Sequence, residues 1–153
     1  MKPKKILCSR KLVSGISVRT QNSEEFEPKT AKIGELWNTF FTRNLANNIP
    51  GRLADTPLVG VYSNYASDVN DYYDATAGVL VSGPNADFSC VVLHPGLYLV
   101  FEARGEMPEA IMEAWDGVWK YFEQHSEITR SYLSDYELYT GPNEVQIYVG
   151  VED

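Results

Sequence analysis

Hydrophobic and polar positions change period several times along this chain, and each change marks an element. Residues 12–20 alternate, with Leu12, Ser14, Ile16 and Val18 on one face and Val13, Gly15, Ser17 and Arg19 on the other, which predicts a strand. The polar run QNSEEFEPKT reads as a connection ending on Thr30, an expected helix N-cap. Ile33, Leu36, Trp37, Phe40, Phe41 and Leu45 follow at helical spacing, and Asn47, Asn48 and Pro50-Gly51 stop the stripe. Strands are predicted over 58–65 and 72–82, separated by the turn-rich SDVND. The apolar, β-prone 88–94 bends at Pro95-Gly96 into a strand over 97–105. EMPEAIMEAWDGVWKYFEQHS predicts a helix with Pro108 near its start and a stripe of Ile111, Met112, Trp115, Val118, Trp119 and Phe122. RSYLSDYELYT and EVQIYVGV close the chain as two strands around Gly141-Pro142-Asn143. In the last, Val145, Ile147, Val149 and Val151 share one face, and Glu144, Gln146, Tyr148 and Gly150 the other.

The order strand, helix, strand, strand occurs twice, over about 12–82 and 88–153, behind a basic N-terminal tail, 1–11. The residues repeat as well. SVRT aligns with EARG, placing Arg19 on Arg104; GVY aligns with ELY, placing Tyr62 on Tyr139 and Gly60 on Glu137. ATAGVLV aligns with VQIYVGV, and ELWNTFF with GVWKYFE, which superposes Trp37 on Trp119 and Phe40 on Phe122. Four matches in one order imply a duplication. Two such units bury their sheets best as one antiparallel sheet with two helices on one face, an α+β fold in a single domain with a central cleft. Clefts of that kind are where ligands bind.

Composition narrows the function. A net charge of −8, with Lys2, Lys4, Lys5, Arg10 and Lys11 crowded into the first eleven positions, leaves the rest of the chain strongly acidic and argues against a nucleic-acid surface. MKPKKILCSRK is too short for a helix-turn-helix. Cys8 and Cys90 form no disulfide framework, and His94 and His125 have no partners at metal-ligand spacing, so no metal and no cofactor are expected. With no signal peptide and no apolar run of membrane-spanning length, a cytoplasmic protein without a membrane partner is expected. Ten tyrosines, whose rings are apolar and whose tips are polar, suit half-buried ligand walls.

Within SDYELYT, strand alternation puts Tyr136 and Leu138 on one face and Glu137 and Tyr139 on the other. An acid beside aromatics faces either water or a positive charge. The repeat sets Glu137 against Gly60, so one half supplies the charge and the other the room beside it. Candidate aromatic walls are Trp37, Tyr62, Trp115, Trp119, Tyr139 and Tyr148. Arg104 is the residue that could neutralise the acid from within.

The segments IGELWNTFF, PLVGVYSNY, YYDATAGVLV, HPGLYLVFEARGEMPEAIMEAWDGVW, DYELY and VQIYVGV together resemble the GyrI-like, or AraC-type, effector-binding domain family over nearly the whole chain. HPGLYLVFEARG is similar to that family's Pro/Ala-Gly-x-Tyr strand, and YELY to its Phe-Glu-x-Tyr. The resemblance, closest to stand-alone members encoded by integron cassettes, implies a sensor of amphipathic, cationic small molecules, with Glu137 facing the cleft. It implies roles in transcription regulation or drug sequestration. The family's last strand commonly carries Glu and Pro where this chain has Gln146 and Gly150, so the resemblance implies that a second acid is missing here unless neighbouring Glu144, ranked below Glu137, substitutes.

A binding module with no catalytic residues is therefore the leading expectation. The alternatives are a hydrolase of reactive small molecules using Glu137, and an enzyme-inhibiting module that binds another protein through its acidic surface. A homodimer or a separate DNA-binding partner is compatible with either binding role.

Overall fold

The computed structural model describes residues 2–67 and 71–152, so most of the expected turn at 67–71 lies outside the described residues. Eight antiparallel strands form one sheet: β1 (Lys4–Cys8), β2 (Lys11–Thr20), β3 (Leu58–Ser63), β4 (Tyr73–Val81), β5 (Ser89–Leu93), β6 (Gly96–Arg104), β7 (Arg130–Gly141) and β8 (Glu144–Val151). Their order across the sheet is β1-β6-β8-β7-β3-β4-β2-β5. The helices are α1 (Asn22–Glu25), α2 (Ile33–Thr42) and α3 (Glu109–Gln124). The fold is α+β, as expected, with two differences at its margins. Residues 4–8, expected within a tail, are an edge strand on β6, and the polar connection contains α1.

The helix N-cap also differs from expectation. Lys32, not Thr30, precedes α2 and offers no side-chain cap. The Glu25 carboxylate takes over, accepting hydrogen bonds from the backbone N–H groups of Lys32 and Ile33. A carboxylate there satisfies orphan donors and complements the positive helix end.

Strand pairing follows the sequence repeat. Arg19 faces Asp74 across β2–β4, and Arg104 faces Glu144 across β6–β8. Gly60 faces Ala77 on one side and Glu137 on the other, and Glu137 faces Ile147. One row therefore crosses six strands: Ile16, Ala77, Gly60, Glu137, Ile147, Phe101. The row maps onto itself when the halves are exchanged, and its midpoint falls between Gly60 and Glu137.

Cross-strand partners share a face, so this row fixes where the helices sit. Leu36 and Phe40 of α2 pack on Ala75, Ala77 and Val79, while Ala114 and Val118 of α3 pack on Phe101, Ile147 and Val149. Both helices thus cover one face, each over its own half. The helix match differs from the sequence alignment by one turn: burial equates Leu36 with Ala114 and Phe40 with Val118, which sets Trp37 against Trp115 rather than Trp119.

The opposite face carries a second core of Val13, Val59, Val61, Leu93, Tyr98 and Tyr136. Two-residue links join β1 to β2 and β5 to β6, although the strands of each pair lie near opposite ends of the strand order. The sheet must curl until its edges approach. Gly15 and Gly78, paired across β2–β4, permit this, because a Cβ on either would strike the facing backbone.

Candidate functional site

The outer parts of the helices do not meet over the sheet. Between them lies a hollow of about 1040 Å³, floored by β3 and β7 and walled by α2 and α3. Trp37 and Phe41 stand one turn apart on α2, and Trp115 and Trp119 one turn apart on α3. This i, i+4 spacing stacks each pair on one helix face, giving two aromatic ladders on opposite walls. The ladders cross over to the floor. Trp37 of the first half packs edge-on against Tyr139 of the second at 5.3 Å, and Trp115 of the second against Tyr62 of the first at 5.5 Å. Phe26, Phe41 and Met112 remain exposed at the rim.

Glu137 lies at the centre of the floor and is 2% exposed. Its Oε2 accepts hydrogen bonds from the Tyr62 hydroxyl at 2.8 Å and from Trp115 Nε1 at 2.6 Å. Its Oε1 accepts one from the Tyr139 hydroxyl at 2.7 Å. All three donors are neutral, and no described cation pairs with it. Burial pushes the Glu137 carboxyl above its ordinary value, and the bonds from Tyr139, Trp115 and Tyr62 pull it back. Burial and the adjacent acid drive both tyrosine hydroxyls up as well, so Tyr62 and Tyr139 hold their protons.

Gly60 makes this arrangement possible. A Cβ there would lie 2.8 Å from Glu137 Oε1 and 3.3 Å from Trp37 Cζ2. The glycine therefore clears the volume that the carboxylate and the indole occupy.

A second buried carboxylate stands two residues away. Asp135 is fully buried and accepts from Arg130 Nη2 at 2.6 Å, from the Tyr65 hydroxyl, and from the Gly150 N–H at 2.8 Å. The Arg130 guanidinium lies 4.5 Å from the Tyr132 ring centroid and 5.9 Å from that of Phe122. A register shift between Arg130 and Asp135, with Tyr132 at φ 54°, bends β7 so that Arg130 reaches the hollow.

Of the sequence-selected residues, Glu137, Trp37, Tyr62, Trp115, Trp119 and Tyr139 come together around the hollow. Tyr148 does not: it lies on the other face, stacked on Tyr136 at 4.6 Å. Glu144 is also away from the hollow, paired with Arg104 at 3.7 Å on a half-exposed surface. Arg104 therefore neutralises Glu144 and not Glu137. The strand alternation that puts Val145 and Ile147 under α3 sends Glu144 and Tyr148 to the opposite side. Sequence reasoning missed Tyr65, Tyr73 and the Arg130–Asp135 pair, whose partners are distant in sequence or brought in by the β7 bend. Among the described residues no cluster has the ligands for a metal ion, and no helix is long and apolar enough to cross a membrane.

A profile of Cass2, described as an integron-associated effector binding protein, matches residues 10–151. The chain belongs to that family. A solved relative of this effector-binding protein, an integron cassette protein from the mobile metagenome of Vibrio cholerae, is 31% identical, with TM-score 0.84 over 99% of this chain and 96% of the other. SAV2435, solved bound to tetraphenylphosphonium, superposes with TM-score 0.80 at 18% identity, over 99% of this chain and 94% of its own. The fold is also shared with a bacterial transcription regulation protein of Staphylococcus aureus MU50, with TM-score 0.80 at 18% identity over 100% and 99%. No curated protein sequence matches this effector-binding protein significantly.

Proposed function

We propose that the hollow is a receptor site for amphipathic organic cations, with Glu137 as the charge partner and Trp37, Trp115, Trp119, Tyr62 and Tyr139 as the walls. One observation carries the reading: a carboxylate is buried at the floor of an open aromatic cavity, held only by neutral donors. An incoming cation supplies the missing charge and relieves the cost of burying the acid. Each ring face adds about 0.5–2 kcal/mol of cation–π attraction. Burying about 300 Å² of ligand hydrocarbon adds roughly 7.5 kcal/mol at about 25 cal/mol per Å². After the ordering costs of association, micromolar affinity, about −8 kcal/mol, is the expected scale.

The site is read as non-catalytic. Tyr62 and Tyr139 are protonated donors to Glu137, so neither is available as a base, and the carboxylate is engaged on both oxygens. The bound cation would serve sensing, through a separate DNA-binding partner, or sequestration. The family membership and the tetraphenylphosphonium bound by SAV2435 support the ligand class.

Titration with tetraphenylphosphonium, followed by quenching of tryptophan fluorescence, tests the reading. Saturable micromolar binding is expected, weakened about tenfold, or 1.4 kcal/mol, by Glu137→Gln. Equal affinity in a folded Glu137→Gln variant would remove the carboxylate from the site.

A further inference from the structure

The hollow is chemically two-ended, and its second end is not explained by recognition of a cation. Arg130 lines the cavity beyond Glu137, with a side chain 8% exposed. A guanidinium carries five N–H donors. Among the described residues, Arg130 makes one hydrogen bond, from Nη2 to Asp135, and its buried Nε has no partner. A buried, unpaired N–H on a charged group costs free energy unless something accepts from it. The group is also held in place, between the Asp135 carboxylate and the Tyr132 and Phe122 rings.

The electrostatics choose the acceptor. Asp135 balances the Arg130 charge, and Tyr65 and the Gly150 N–H donate to the same carboxylate. A cation can therefore approach Glu137 without net repulsion from the arginine. An anionic ligand group at Arg130 would instead face the buried negative charge of Asp135. A neutral oxygen suits the free donors best. Asp135 and Glu137 are two residues apart on one strand, a separation of about 7 Å, so the acceptor belongs roughly that far from the ligand's positive centre.

We propose that Arg130 forms a neutral-acceptor subsite, and that the preferred ligands are organic cations carrying an uncharged carbonyl oxygen, of a ketone, ester or amide, at the far end of an aromatic body. This rests on the reading of Glu137 as the cation partner and specifies the ligand class further. Glu137 holds the charge, the ladders hold the rings, and Arg130 selects among cations that the rest of the hollow would not distinguish.

A matched pair of probes tests it: tetraphenylphosphonium, and the same cation with a para-acetyl group on one ring. In the wild-type protein the ketone is expected to bind about tenfold more tightly. Arg130→Lys keeps the charge opposite Asp135 but removes Nε and the planar fork. It should bring the two affinities within about twofold of each other. A double variant, Arg130→Met with Asp135→Asn, removes both charges and should likewise abolish the preference if the lysine variant fails to fold. Glu137→Gln should weaken both probes equally and preserve their ratio. No ketone preference in the wild type, or a preference that survives both Arg130 variants, overturns the subsite while leaving the Glu137 reading intact. Binding of both probes that is insensitive to Glu137→Gln overturns the Glu137 reading, and failure of both probes to bind overturns both.

Discussion

Gly60 and Glu137 face each other across the central β3–β7 pair, and a side chain on Gly60 would meet the Glu137 carboxylate within 2.8 Å. Among the described strand pairs, they are the one pair in which repeat equivalence and cross-strand pairing coincide. Two acids there would sit against each other in a dry site, and two bulky groups would not fit. One half carries the acid and the other is bare, so the fold is symmetric around an asymmetric centre.

Gly60→Ala should therefore damage the site more than the fold. The added methyl meets the end of a side chain and the Trp37 ring rather than backbone. Overpacking of this kind costs about 1–3 kcal/mol. The expected outcome is a modest fall in urea-unfolding stability with a loss of cation affinity of tenfold or more, read by tryptophan quenching. Affinity equal to wild type would mean that the carboxylate position does not matter.

Glu137 makes binding and stability respond to pH in opposite directions. Its folded carboxyl titrates above the ordinary value of 4.5. Between that value and the raised one, the folded state keeps a proton that the unfolded state has released, so stability falls as pH rises through the window. Thermal unfolding should show wild type losing ground to Glu137→Gln as pH rises above 4.5. Cation affinity should rise over the same window, because the ligand needs the ionised form. Calorimetry in buffers of different ionisation enthalpy should detect proton release on binding within the window.

Tyr62→Phe and Tyr139→Phe each delete one hydrogen bond to the acid and little of the wall. Such bonds to a charged group are worth about 1.5–3 kcal/mol. Losing one raises the Glu137 carboxyl further, so the pH at which cation binding is half developed should move upward in both variants. An unchanged binding profile would show that the hydroxyls do not hold the ionised form.

The Arg130–Asp135 pair should dominate local stability. Asp135→Ala leaves a buried guanidinium without its counter-charge, a loss of about 3–5 kcal/mol. Tyr65→Phe, which removes one neutral donor to the same carboxylate, should cost less, about 1.5–3 kcal/mol. Denaturant unfolding of both variants checks the contrast, and a smaller loss for Asp135→Ala than for Tyr65→Phe would contradict it.

The sheet was far more legible in the sequence than the helix register. Arg19 with Arg104, and Ala77 with Ile147, repeat at spacings that every strand pair respects. The helices offered two tryptophans one turn apart on α3, and matching Trp37 to Trp119 by residue type overlooked that Ala114 and Val118 are the buried positions. Tyr148 and Glu144 were misplaced for a plainer reason. They alternate with Val145, Ile147 and Val149, so they could not share a face with Glu137 once that apolar row lay under α3. Arg130 was invisible because a bend in β7, not a periodic pattern, delivers it to the cavity.

The crossed placement of β1 and β5 bears on how a molecule gets in. Each strand leaves its own half and seals the outer border of the other, β1 on β6 and β5 on β2. Spreading the halves like the covers of a book would tear both seams as well as the β3–β7 spine. Entry is left to the gap between α2 and α3, where Phe26, Phe41 and Met112 stand exposed along the margin above the closed base.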